Sequence, residues 1–445
     1  MRPRLRKVWD SLQSSYWFVP SLMMAMAIVL WFLTTSLDQR LSGSGKGYWG
    51  WLYFDDVDST RTLLLTIVGT IIGIVGVVFS ILMVPLTIAA TQFGPRLLRT
   101  FLRDTGTHLT LGTFTATFVF CLLVLLQLHQ DETMPLPQIS VTAGLGLGLA
   151  SFGMLIYFIN HIATSIQASV VVAEVSDELH LAIDHELPKT PDAASANLPL
   201  DAINYLAIEE AGIQHPIKAR KSGYVQTRDD DELLHLAQDY DLVMQLISKP
   251  GDFVVQDTPI AMVLQDAKIS AEMEKAVNKA FILGPQRTLV QDITFGINEL
   301  VEVAVRALSP AINDPFTAMT CLDWLGTALC RMCARTFPNQ RKFDQNGNLR
   351  LLTNPITFTF VVDAAFNQIR EYGRSSTAVT MRLLDTIAVV AKCAHTNEQR
   401  TALLRHVELV EQSCQVGLIE PANREAVTLC LQKVMQQLHQ NKRVV

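Results

Sequence analysis

The 445 residues are 49% hydrophobic and carry a formal net charge of -6. Mean hydropathy is +0.26, too apolar for an ordinary soluble enzyme, and the chain is too long for a bare membrane bundle, so more than one domain is expected. No long basic tract interleaved with aromatics occurs, which argues against nucleic acid as a partner, and seven cysteines without a disulfide framework suit a reducing compartment.

The apolar excess lies in the first 180 residues. Arg2, Arg4, Arg6 and Lys7 precede an apolar run from Tyr16 to about Leu37, which lacks a small-x-small cleavage pattern and reads as a retained first span. The following loop carries Trp49, Trp51, Tyr53 and Phe54, rings suited to a membrane interface or to a short lid.

A second span runs from Thr62 to about Ala90. Thr66, Gly69, Thr70, Gly73, Gly76, Ser80, Thr87 and Thr91 fall mostly three and four apart, which sets them along one helical face. Hydroxyls beside glycines can line water without a buried charge, so this face is the candidate pore lining. The GxxxGxxG spacing of Gly69, Gly73 and Gly76 serves helix packing equally well. Pro85 is expected to kink the span, and Gly94 with Pro95 to end it.

A third span is expected over about 109–128, and a fourth from Ile139 to Ile159 that continues without Pro or Gly to Leu179, as one helix leaving the bilayer. Small residues from Ala143 to Gly153 suit close helix approach. Lys and Arg number four in the N-terminal tail and three at 96–103, against two at 38–60 and none at 129–137, which places both termini in the cytosol. No Asp, Glu, Lys or Arg lies within an apolar core, which disfavours a proton-coupled pump, and His161 near the end of span four reads as an interfacial or packing residue.

Beyond a linker at 188–199 the chain changes character. Strands are expected at Tyr224–Gln226, Leu242–Ile247 and Ile260–Val263, with a short helix at Asp231–Gln238 and a ProGlyAsp turn at 250–252. The SerGlyTyr opening and ProGlyAspPheVal hairpin resemble the barrel-sandwich hybrid fold of biotinyl and lipoyl domains. Where those carriers present a modifiable Lys, this chain has Asp229, Asp230, Asp231 and Glu232, so a structural or assembly module is expected and no cofactor.

The rest reads as helical: about 290–308, then Phe358–Tyr372, Ser376–His395, Gln399–Cys414 and Pro421–Gln440, with Asn346-Gly347 marking a hairpin. The segment at 309–318 separates the first of these from a further helix directly after it, which Asp314 is placed to cap with Pro315 in its first turn. Glu302, Arg306, Ser309, Asn313, Asp314 and Thr317 gather there, as a buried polar network or as a ligand site. Cys330 and Cys333 form CRMC inside a helical pattern without a second ligand pair, so no metal is expected, and no catalytic motif is present.

The segment at 306–318, ArgAlaLeuSerProAlaIleAsnAspProPheThrAla, together with TyrPheAspAspValAspSerThrArg and SerGlyTyrValGln, resembles a domain-of-unknown-function family of predicted bacterial integral membrane proteins. The resemblance covers nearly the whole chain and implies a membrane part plus a cytosolic part; it carries no activity to transfer. The expectation is therefore an α-helical protein with four transmembrane helices at 1–187, a cytosolic α+β part with a small barrel-sandwich-like β unit at 188–270, and a helical bundle at 271–445. In function it is expected to be a homo-oligomeric channel or passive pathway for a small ion or solute in the bacterial inner membrane, surrounded by lipid. The alternative is a non-conducting scaffold or sensor; an enzyme built on Glu302, Arg306 and Asp314 is a third, weaker reading.

Overall fold

The computed structural model describes residues 17–41, 56–88, 91, 104–130, 136–189, 215–264 and 269–440. The N-terminal basic cluster, the 47–55 aromatic loop, Gly94-Pro95 with the basic 96–103 segment, and most of the 188–199 linker lie outside them. The chain divides into two compact units, Met1–Val171 and Val172–Val445.

Among the described residues the first unit holds four helices long and apolar enough to cross a membrane: α1 (Phe18–Leu41), α2 (Val57–Ile88), α3 (Thr105–Gln130) and α4 (Gln138–Ser165). α3 packs against the other three and is the most buried of them. On α2, Leu64, Ile71, Val78 and Pro85 are buried at a spacing of seven, a seam that holds one stripe of the helix against its neighbours. Two apolar clusters follow from this seam, one around Leu64, Phe120, Val124 and Val141, the other around Ile71, Val78, Phe114 and Phe158. At ~1.5 Å per residue, α2 is long enough to extend past a hydrocarbon layer of about 30 Å.

The continuous helix expected from Ile139 to Leu179 is instead two. α4 ends at Ser165, and α5 (Ala168–Glu186) starts after a break at Ile166 and Gln167. No Pro or Gly marks the break; hydroxyls bond back to the helix at it. Thr164 Oγ1 donates to the carbonyls of Asn160 and His161, and Ser165 Oγ to that of Ile162. Side chains that bond back to the preceding turn compete with the helical ladder, and here Gln167 N turns to Thr164 O while Gln167 O starts the new helix.

In the second unit, α5 lies on α8 and α9: Leu179 packs over Gly296, and Asp184 takes ion pairs from Arg331 and Arg335. The β part comprises β1 (His215–Lys218), β2 (Gly223–Arg228), β3 (Met244–Leu246), β4 (Phe253–Val254), β5 (Pro259–Val263), β6 (Phe281–Gly284), β7 (Arg341–Phe343) and β8 (Leu349–Leu352). They form a five-stranded sheet, β1-β5-β3-β8-β7, and a three-stranded one, β4-β2-β6. α6 (Asp230–Asp239) and α7 (Ala271–Ala280) complete its core with Leu233, Ala237, Met273 and Val277, set against Ile217, Met244, Ala261 and Leu351. Asp229 and Ser270 cap these helices, each accepting from a backbone N–H in the first turn.

Six helices make up the rest: α8 (Ile293–Ala307), α9 (Pro315–Cys333), α10 (Phe358–Gly373), α11 (Thr377–Cys393), α12 (Asn397–Gly417) and α13 (Pro421–Gln440). The first five start at capping residues, Asp292, Asp314, Thr357, Ser376 and Thr396, the last in a capping box with Gln399. Gly347, at φ 82, closes the β7–β8 hairpin where Asn346-Gly347 predicts it. The strand expected at Leu242–Ile247 is shorter, and it pairs in parallel with β8, Met244 opposite Leu351.

Candidate functional site

The polar face of α2 is built by its buried seam. Because Leu64, Ile71 and Val78 hold one side of the helix against α3 and α4, the residues on the far side turn outward. Thr66, Gly69, Thr70, Gly73, Gly76, Ser80, Thr87 and Thr91 are all exposed in the single chain. A Cβ placed on Gly69, Gly73 or Gly76 would meet nothing within 4 Å. Each hydroxyl is spent on its own helix: Thr66 donates to Thr62 O, Thr70 to Thr66 O, Ser80 to Gly76 O, Thr87 to Met83 O and Thr91 to Thr87 O. An oxygen with a lone pair still facing outward can solvate a passing ion or solute without a fixed charge in the bilayer.

At the N-terminal end of this face an open groove of about 580 Å³ is lined by Asp56, Asp58, Ser59, Thr62, Leu63, Thr66 and Ile67. Asp56 is itself tied down, accepting from Ser59 N at 3.0 Å and Ser59 Oγ at 2.6 Å as the cap of α2.

Two further aspartates order the helices and were absent from the expected site. Asp104 caps α3 through Thr107 N and Thr107 Oγ1, and receives His161 Nε2 at 2.9 Å. His161, expected as an interfacial or packing residue, joins α4 to the start of α3, stacked on Tyr157 with ring centroids 5.4 Å apart. Asp38 near the end of α1 accepts from Ile139 N, Ser140 N and Ser140 Oγ, capping α4 from another helix. The Asp-x-x-Ser and Asp-x-x-Thr spacings at Asp56 and Asp104 were available signals, since a carboxylate three residues before a hydroxyl at the start of an apolar run is a helix-start pattern. Asp38 had none, because its partners are a hundred residues away.

In the second unit the structure divides the polar gathering at 302–317. Glu302 and Arg306 form an i,i+4 ion pair at 3.1 Å on α8. Asp314 accepts from Phe316 N, Thr317 N and Thr317 Oγ1, and so is the cap of α9 with Pro315 in its first turn. Ser309 accepts from the Asn313 backbone at 2.8 Å, and Asn313 takes a left-handed φ of 50 to make the turn. Around these polar groups the loop shows apolar surface, with Phe316 75% exposed. Cys330 and Cys333 lie inside α9, and burial pushes both thiols up to about 12.

Residues 13–389 match the family described as predicted membrane protein (DUF2254). An uncharacterized protein of Mycobacterium bovis, Mb1321c, is 28% identical over 438 residues, covering 96% of this chain and 81% of its own length. The uncharacterized protein Rv1290c of Mycobacterium tuberculosis matches to the same extent, 28% over 438 residues with the same coverage. No solved structure matches. With four apolar helices of spanning length ahead of a mixed helical and β region, and a family match over most of its length, the chain belongs to the DUF2254 family of predicted membrane proteins.

Proposed function

We propose that the protein is a homo-oligomeric channel or passive permeation pathway of the bacterial inner membrane, with both termini in the cytosol, in which α2 lines the path and the second unit assembles or gates it. The observation that carries this reading is the outward α2 face: glycines with no Cβ neighbour and hydroxyls satisfied within their own helix. A face of this kind in lipid gains by meeting copies of itself around water, and the groove beside Asp56 and Asp58 gives it a mouth that favours a small cation or neutral solute. We read the two small sheets, with Gly251 at φ 94 in the ProGlyAsp turn, as an assembly module.

The test is ion and solute flux through the purified protein in liposomes beside Gly73→Leu. Flux lost in a variant that keeps its oligomeric state supports the lining. Equal flux in wild type and variant removes α2 from the path, and no flux from wild type across ions, voltage and membrane tension removes the channel.

A scaffold or sensor reading draws on one observation of its own. The helix that follows span four is clamped to α9 by Arg331 and Arg335 on Asp184, so its orientation is that of the second unit. Recovery from membranes of one specific partner, lost on changes in the second unit, supports that reading over permeation.

A further inference from the structure

We infer that the helical bundle of the second unit holds a binding site for a small monatomic anion of the chloride class, between the end of α10, the start of α11 and the last turns of α12. The site is a narrow cavity that leaves about 10 Å³ for the centre of a water-sized sphere, about the least that holds one species of water size. Its polar lining consists of Arg370, Arg374, Thr380 and Ser413, over an apolar floor that includes Leu383 and Val410. The walls are close because Gly373 has no side chain: a Cβ there would lie 2.8 Å from Val379 Cγ1.

Arg370 and Thr380 keep donors without an acceptor, Ser413 positions Arg370, and Arg374 stands exposed at the rim. Arg370 Nη1 donates to Ser413 Oγ at 2.6 Å, and Ser413 passes its own proton to Leu409 O at 2.8 Å, so the hydroxyl fixes the guanidinium. Arg370 Nε is buried with no acceptor. Among the described residues no carboxylate forms an ion pair with Arg370 or Arg374, whereas Arg228, Arg287, Arg306, Arg331, Arg350 and Arg405 of this unit each meet an Asp or Glu. Thr380 is 5% exposed, lines the cavity and carries no side-chain hydrogen bond. A threonine in a helix ordinarily returns its proton to the carbonyl four residues back, as Thr386 does to Arg382 on this same helix. Thr380 does not, and its hydroxyl is free to donate into the cavity.

A half-buried guanidinium with an orphaned N–H, without a counter-charge, is costly, and an anion in the cavity would neutralise it. The positive end of α11, a 17-residue helix whose first turn contains Thr380, adds to the field. A larger oxyanion does not fit the volume, and a cation has no acceptor set there. This site is independent of the permeation reading.

The test uses the full chain in detergent, with thermal unfolding followed in sodium chloride and in sodium gluconate at equal ionic strength. Chloride is expected to raise the midpoint saturably, by roughly 3 °C when in large excess over its dissociation constant. Thr380→Val keeps the shape of the side chain and removes the donor, so it should keep the gluconate midpoint and lose most of the chloride increment. Arg370→Met should lose all of it. Chlorine-35 line broadening by the wild-type protein, relieved by bromide, reads the ion directly if Arg370→Met does not fold. Equal midpoints in the two salts, or a chloride increment unchanged in Thr380→Val together with no line broadening, would mean that the cavity holds only water and would overturn the site.

Discussion

Gly144 on α4 and Gly73 on α2 belong to the same unit and to sequence patterns of the same kind, yet they have opposite surroundings. A Cβ on Gly144 would lie 3.3 Å from Leu64 and 3.4 Å from Cys121, whereas one on Gly73 would meet nothing within 4 Å. The hydroxyls divide in the same way. Thr117 on α3 and Ser151 on α4 share a buried hydrogen bond of 2.9 Å, while Thr70 and Ser80 on α2 are exposed and bond only their own backbone. Along the α3–α4 seam small residues are consumed in helix association within the chain; on the outward face of α2, and at Gly146 and Gly153 of α4, they are left over. Lipid supplies no hydrophobic drive for helix pairing, so a leftover face of small and hydroxyl groups is where association with another copy, or contact with water, remains open.

The sharpest way to break this comparison is to put one bulky residue on each face. Gly144→Leu must displace Leu64 and Phe120 and is expected to destabilise the helical unit by about 3 kcal/mol, seen as a lowered unfolding midpoint or lost yield in detergent. Gly73→Leu should change the stability of the single chain by no more than about 0.5 kcal/mol, while abolishing flux. If the two variants were equally destabilised, α2 would be packed on both sides and could not line a path.

A smaller effect belongs to the second unit. Asp314→Ala removes acceptors for two backbone N–H groups and the Thr317 hydroxyl, and should cost about 1 kcal/mol. Hydrogen exchange localises it: amides 316 and 317 should lose protection while those of α10 keep theirs. Co-purification of a metabolite that disappears with Asp314→Ala in a folded protein would instead make this cap a ligand site. Below that effect lies the Thr117–Ser151 hydroxyl pair, for which a double-mutant cycle with Thr117→Val and Ser151→Ala should return a coupling of about 0.6 kcal/mol.

What the sequence disclosed was local. Asp314 before Pro315, Asn346-Gly347 between short strands, and the apolar runs of α1 to α4 each act through neighbours within a few residues, and each is found where the pattern puts it. What it withheld depends on distant partners. The parallel pairing of Met244 with Leu351 and the capping of Ser140 by Asp38 join segments about a hundred residues apart. The break at Ile166 and Gln167 was hidden for another reason: its only markers are Thr164 and Ser165, which elsewhere, as at Thr110 and Thr115, bond back to the helix without ending it. For α2 the stripe was visible and its direction was not, because the spacing of Gly69, Gly73 and Gly76 is the same whether the face meets a helix or faces away.

The smallest expected effect concerns the clamp on α5, and pH separates it from the rest. The Arg331 guanidinium bonded to Asp184, helped by the charge of Arg335, holds that carboxyl below its ordinary value of 3.8. A group whose pKa is lower in the folded chain stabilises it at every pH above the unfolded value, and the contribution disappears as pH falls through the folded pKa. Asp184 is 35% exposed, so solvent screening limits the contribution at neutral pH to less than about 0.5 kcal/mol. Asp184→Asn should therefore lower the unfolding midpoint slightly near neutrality, less in high salt, and match wild type in acid well below the carboxylate range. A difference that persists in acid would place the role of Asp184 in hydrogen bonding and packing, since an asparagine keeps the shape while losing the charge that Arg331 and Arg335 meet.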